Sequence, residues 1–146
     1  MSSFTLPCLC ANLRRAARTL TQFYEDALRP LGLSSSQFTI LQALAVAGSL
    51  TQGRLGQILG MDSTTLTRTL AIMRRHRWIA RRRGADRREW HIAPSASGKA
   101  LFQHATPHWE KAQAQVRRSL GEGRFAQLTQ LTTALTDLVT AKGEDQ

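Results

Sequence analysis

The chain has 146 residues, enough for one domain with a real core, and its 42% hydrophobic content argues against pervasive disorder. Its 20 Lys and Arg against 10 Asp and Glu leave a formal net charge of +10. No apolar run approaches the roughly 18 residues of a membrane span. Met1–Cys10 lacks the basic and apolar regions of a secretion signal, and two cysteines, Cys8 and Cys10, are too few for a disulfide framework. A cytoplasmic protein with no membrane partner is expected.

In chain order, Leu13, Ala17, Leu20, Tyr24, Ala27, Leu28 and Leu31 recur at helical steps and predict an amphipathic helix over 11–29, closed by Pro30 and Gly32. Ser34–Ser36 supply a cap for a second helix carrying Phe38, Leu41, Leu44 and Ala45 to about Ala47, ended by Gly48. Thr51 caps a short third helix with Leu55, Ile58 and Leu59. A turn at Gly60-Met61-Asp62 then leads to a fourth helix over 63–76, with Leu66, Leu70 and Met73 facing inward. Trp78–Arg83 and Arg88–Ile92 read as two strands joined by Gly84-Ala85-Asp86-Arg87. Pro94-Ser95 ends that hairpin and caps a long helix from 96 to Leu120, which Pro107 is expected to kink. Phe125, Leu128, Leu131, Leu135, Leu138 and Val139 form the apolar stripe of a last helix, and Lys142–Gln146 read as a frayed tail.

The charge is concentrated. Between Met61 and His91 stand Arg68, Arg74, Arg75, Arg77, Arg81, Arg82, Arg83, Arg87 and Arg88, against Asp62, Asp86 and Glu89 alone. Such a cluster is the footprint of a polyanion partner, since unneutralised it repels itself. The segment 50–76 fits a helix-turn-helix. Ser63, Thr64, Thr65, Thr67 and Arg68 open its second helix. Small hydroxyl side chains permit close entry into a major groove, and Arg68 can reach a guanine edge or a phosphate. The same hydroxyls can also serve merely as caps. The hairpin that follows has the character of a wing: Arg87 and Arg88 at its tip suit a minor groove, Arg81, Arg82 and Arg83 suit phosphates, and Asp86 orients a neighbouring arginine. Arg74 and Arg75 extend the basic face. One such helix reads only a few base pairs, so double-stranded DNA would be bound by a homodimer. The first helix and the last two carry apolar residues suited to the seam, or to packing within their own chain.

These motifs together resemble the MarR family of bacterial winged helix-turn-helix transcriptional regulators. The resemblance runs from Cys10 to about Leu138. It rests on Gly32-Leu33-Ser34 with Gln37-Phe38, Leu50-Thr51 with Leu55, the run Met61–Arg68, Arg81-Arg82-Arg83 with Asp86-Arg87-Arg88, and Gly98. Ala93-Pro94-Ser95 departs from the family's usual Leu-Thr step. The resemblance implies a mostly α fold with a small β-hairpin wing. It would be a single domain over 1–146, with a DNA-reading lobe at 34–95 and dimerisation helices at 9–31 and 96–141. It also implies a palindromic operator, repression, and release by a small molecule or oxidant.

The placement of Cys10 relative to Arg18 and Tyr24 resembles the peroxide-sensing OhrR branch, in which a thiol near the start of the first helix is oxidised and tyrosines stabilise the product. Tyr24 occupies one such position. The other two fall on Arg14 and Ser35. Cys8 is a candidate resolving thiol, although side chains two apart on a helix diverge, so a bridge needs an unwound N-terminus. The ordinary alternative is a pair of inert thiols. The family's frequent aromatic ligands make a small aromatic effector a candidate partner, with Phe23, Phe38 and Trp109 as candidate lining or plain core. His104 and His108 have metal-ligand spacing, but His108 falls on the stripe of Leu101, Ala105 and Ala112 and reads better as core, so no metal or cofactor is expected. No phosphate loop, HExxH, CxxC or G-x-S-x-G motif is present, which argues against an enzyme. A basic protein binding any duplex without sequence choice is the remaining alternative.

Overall fold

The computed structural model describes residues 4–144, with side chains as far as Leu138. Two compact units divide it, Met1–Trp109 and Glu110–Gln146.

In the first unit, α1 (Leu9–Leu28) passes through a 3-10 turn (Arg29–Leu31) to α2 (Ser35–Ala47). The turn closes on Gly32, which adopts the left-handed backbone. Ser34 starts α2 with a capping box, its hydroxyl accepting from the Gln37 N–H while the Gln37 side chain accepts from the Ser34 N–H. Next come β1 (Leu50–Thr51), α3 (Gln52–Leu59) and α4 (Ser63–Arg75). The hairpin β2 (Ile79–Arg83) and β3 (Trp90–Pro94) follows, and then α5, which begins at Ala96.

The core of this unit draws on every element that frames the lobe. Leu41, Leu44, Leu55, Leu66, Met73 and Ile79 are buried together, and Phe38 packs tilted against Phe102 and stacks on Trp109, both from α5. Leu66, Leu70 and Met73 thus pin one face of α4 inward, as their spacing predicts. Gly56 lets α3 close against the turn before α4: a Cβ there would meet the Met61 carbonyl oxygen at 3.3 Å.

The hairpin differs from the expected one at its second strand. Arg88 and Glu89 belong to the turn, not to β3, because Asp86 holds them: its carboxylate accepts from the Arg88 N–H at 2.9 Å and its carbonyl from the Glu89 N–H at 3.0 Å. β3 runs on through Pro94 and is the middle strand of a three-stranded antiparallel sheet, since Leu50 and Thr51 pair with Ile92 and His91. A two-residue strand has no periodicity to read, which is why Leu50-Thr51 looks like a cap alone. Thr51 serves both purposes, its hydroxyl accepting from the Arg54 N–H.

The second unit comprises the end of α5, which continues helically past Pro107 to Leu120, and α6 (Glu122–Glu144), joined at Gly121 with φ +82°. Arg117 lies 3.6 Å from Glu122 and over the Phe125 ring, fixing that corner. Leu131 and Leu138 of the predicted stripe are each 60% exposed in the single chain. α6 stays helical to Glu144, beyond the frayed start expected at Lys142; the Val139 side chain and the tail end 145–146 lie outside the described residues. Among the described residues no helix is long and apolar enough to cross a membrane.

Candidate nucleic-acid interface

Asp62 begins α4. Its carboxylate accepts from the Thr65 N–H at 2.9 Å and from the Thr65 hydroxyl at 2.7 Å, and these bonds hold it below the ordinary carboxylate range. Thr65 is therefore committed to the cap. Thr67 accepts from the Gln52 side chain at 2.8 Å, which ties α4 to α3. Ser63, Thr64, Thr67 and Arg68 remain exposed on the side opposite Leu66 and Met73. Thr64, Arg68 and Arg75 follow one another along one stripe, with Ser63, Thr67 and Arg74 beside it. Arg74 and Arg75 occupy the last turn, roughly 16 Å along the axis from Ser63 at the usual rise, where cations also favour the helix dipole.

A non-glycine left-handed residue, Arg77 with φ +61°, ends α4: its N–H reaches the Arg74 carbonyl and the Trp78 N–H reaches that of Met73. The hydroxyls of Ser95 and Ser97 both donate to the Arg77 carbonyl, and the Ser95 N–H donates to that of Trp78. Gly98 packs directly on Trp78. The start of α5 is in this way clamped to the corner between α4 and the wing. The departure at Ala93-Pro94-Ser95 leaves the clamp intact, because serine supplies the hydroxyl.

On the wing, the pairing Arg83↔Trp90, Arg82↔His91 and Arg81↔Ile92 puts Arg81 and Arg83 on one face and Arg82 on the other. Arg83 donates to the Arg87 carbonyl and steadies the tip. Asp86 orients the turn through backbone N–H groups instead of through an arginine side chain. Arg87 and Arg88 are exposed at the tip, and among the described residues no ion pair joins an acid to any wing arginine. Arg82 instead lines a cavity with Lys99.

Trp90, which the sequence reading passed over, lies within 4.0 Å of the Arg83 guanidinium and 4.9 Å of that of Arg81, measured to the ring centroid. An arginine flanking an aromatic across a hairpin at alternate positions was the available signal.

Other candidates fall elsewhere. Cys8 is the N-cap of α1 with extended backbone, Cys10 lies in the first turn, and both thiols are exposed. Tyr24 is half-buried, and burial pushes its hydroxyl pKa up. His104 and His108 are both exposed, which corrects the reading of His108 as core; Leu101 and Ala105 turn inward without it. Among the described residues no group of three His, Cys, Asp or Glu could hold a metal. Phe38 and Trp109 are spent on the aromatic core, and neither they nor Phe23 line the cavity.

Comparison with known proteins converges on one family. Residues 31–89 match the family model described as MarR family. MosR, a transcriptional regulator of M. tuberculosis crystallised in complex with DNA, is 37% identical, with 92% of this chain and 97% of that one covered at a TM-score of 0.81. A cysteine-to-serine mutant of MarR from E. coli, complexed with operator DNA, shares the fold at a TM-score of 0.77 and 20% identity over 87% of this chain and 92% of that one. An uncharacterized HTH-type transcriptional regulator of Bacillus subtilis (strain 168), YwoH, is 33% identical over 81 residues, a match spanning 56% of this chain and 59% of YwoH. With the helix-turn-helix, the three-stranded wing sheet and 37% identity to MosR over nearly its whole length, the chain belongs to the MarR family of transcriptional regulators.

Proposed function

We propose that the chain is a cytoplasmic repressor that binds a palindromic duplex operator as a homodimer and is released by a small molecule or an oxidant. One observation carries the DNA reading. A single lobe presents both the small hydroxyl-and-arginine face of α4 and a wing whose arginines have, among the described residues, no acidic partner, so their charge is available to phosphates. The DNA and operator complexes of MosR and MarR support it. The dimer reading is supported by apolar side chains left in water by a lone chain, Leu9 and Leu20 of α1 and Leu128, Leu131 and Leu138 of α6. Fluorescence anisotropy with a duplex from upstream of the chain's own gene tests it, against mixed-sequence competitor DNA. Preference for the upstream duplex and a steep fall of affinity with salt are expected. Equal competition would leave only the non-specific basic protein.

Two features support release. A cavity of about 390 Å³ in the first unit has an apolar floor of Leu41, Leu44, Ala93 and Phe102, with Arg82 and Lys99 beside it, which suits an aromatic carboxylate. The extended backbone of Cys8 places it outside the helix that carries Cys10, so the unwinding that a bridge between them requires is already present at that residue. One titration separates them. DNA-bound wild type is challenged with peroxide and with benzoate-like carboxylates, alongside Cys10→Ser and Lys99→Glu. Peroxide release that survives in Cys10→Ser eliminates the thiol switch, and carboxylate release that survives in Lys99→Glu eliminates the cavity.

A further inference from the structure

We propose that Trp90 is a positioning residue that holds Arg81 and Arg83 as a preformed pair against two backbone phosphates of the duplex, a flank contact separate from the wing tip. The inference rests on the DNA-binding reading above and names a component of it. The two guanidiniums lie on the sheet face of Trp90, at 4.9 and 4.0 Å from its centroid, inside the distance at which the ring quadrupole attracts a cation. Trp90 itself is 41% exposed and stands outside the buried core cluster, so its ring is not there to fill the interior.

The acids of the basic segment have other tasks. Asp62 caps α4, Asp86 holds the wing turn, and Glu89 lies 3.4 Å from His91. A carboxylate beside Arg81 and Arg83 would order them but cancel their charge and compete with phosphate. An indole orders them and leaves the full charge outward. Long arginine side chains otherwise lose rotamer entropy on binding, and that loss is reduced when they are already stacked. Arg82, on the opposite face, takes no part.

The test is a double-mutant cycle by anisotropy on a fluorescein-labelled mixed-sequence duplex, since phosphate contacts carry no sequence information. Trp90→Leu is expected to weaken binding about three- to tenfold, and Trp90→Phe, which keeps an aromatic face, to retain most of the affinity. Arg81→Gln should lower the slope of log affinity against log salt by about 1. In the Arg81→Gln/Arg83→Gln background, Trp90→Leu should cost less than about twofold. The Arg83 bond to the Arg87 carbonyl is absent from both arms of that comparison and cancels. An undiminished Trp90→Leu loss in that background would make Trp90 a support of wing folding only and overturn the proposal, as would Trp90→Leu binding like wild type. Failure of wild type to bind any duplex would instead sink the DNA reading, and this inference with it.

Discussion

Gly98→Ala is expected to lower the melting temperature by about 10 °C, the largest stability effect expected from a methyl added at the described glycines. The added Cβ would lie 1.9 Å from the Trp78 carbonyl oxygen and 2.9 Å from its carbon. Both are backbone atoms, so no rotamer change can relieve the overlap. Trp78 cannot retreat, because its N–H is bonded to Met73 and its carbonyl to the Ser95 N–H. The first turn of α5 would have to lift, which breaks the hydroxyl clamp of Ser95 and Ser97 on Arg77. A cost of about 3 kcal/mol follows from overpacking of this severity. Gly53→Ala is the control. Nothing lies within 4 Å of its Cβ position in α3, and the change should be neutral or stabilising by about 0.5–1 kcal/mol. Thermal unfolding of the two variants measures both; equal melting temperatures would mean that α5 does not approach Trp78 this closely.

The largest effect on binding is expected from Arg68, Arg87 and Arg88 changed together to alanine, at least about a hundredfold loss of duplex affinity. Arg68 lies one turn into α4 and the other two sit side by side at the wing tip, so the contribution of Arg68 should be close to additive with that of the tip pair. Each is exposed and forms no ion pair among the described residues, so removal costs little stability. Arg68→Ala alone should relax sequence preference, whereas Arg87→Ala and Arg88→Ala should weaken all duplexes alike. Unchanged affinity in the triple variant at an unchanged melting temperature would remove this face from the interface.

Much of this was legible in the sequence for physical reasons. Periodic apolar residues define α2, α3 and α4, and Ser34 and Thr51 are legible caps because each satisfies an N–H group of the first turn; Asp62, read as part of a turn, does the same for α4. Arginine density locates the wing. What stayed hidden depends on strand pairing distant in sequence and on side-chain bonds inside turns and caps. β1 exists only because β3 passes beside it, and Asp86 shortens β3 by bonding to backbone. Thr65 is spent as the donor to the Asp62 cap, and Arg82 parted from its neighbours once register assigned faces. His108 looked like core because periodicity marks a stripe without saying which positions along it meet a partner. Arginines facing an aromatic across the hairpin pointed toward Trp90, but its pairing with Arg83 depends on the register that the longer turn sets.

Hydroxyl-radical footprinting of the wild-type protein on the duplex upstream of its gene is the most direct measurement. Two protected patches related by two-fold symmetry, centred roughly 10 base pairs or a multiple apart, are expected if the α4 face and the wing tip of each protomer grip one half-site. A single unsymmetrical patch, or uniform protection along the fragment, would contradict that arrangement.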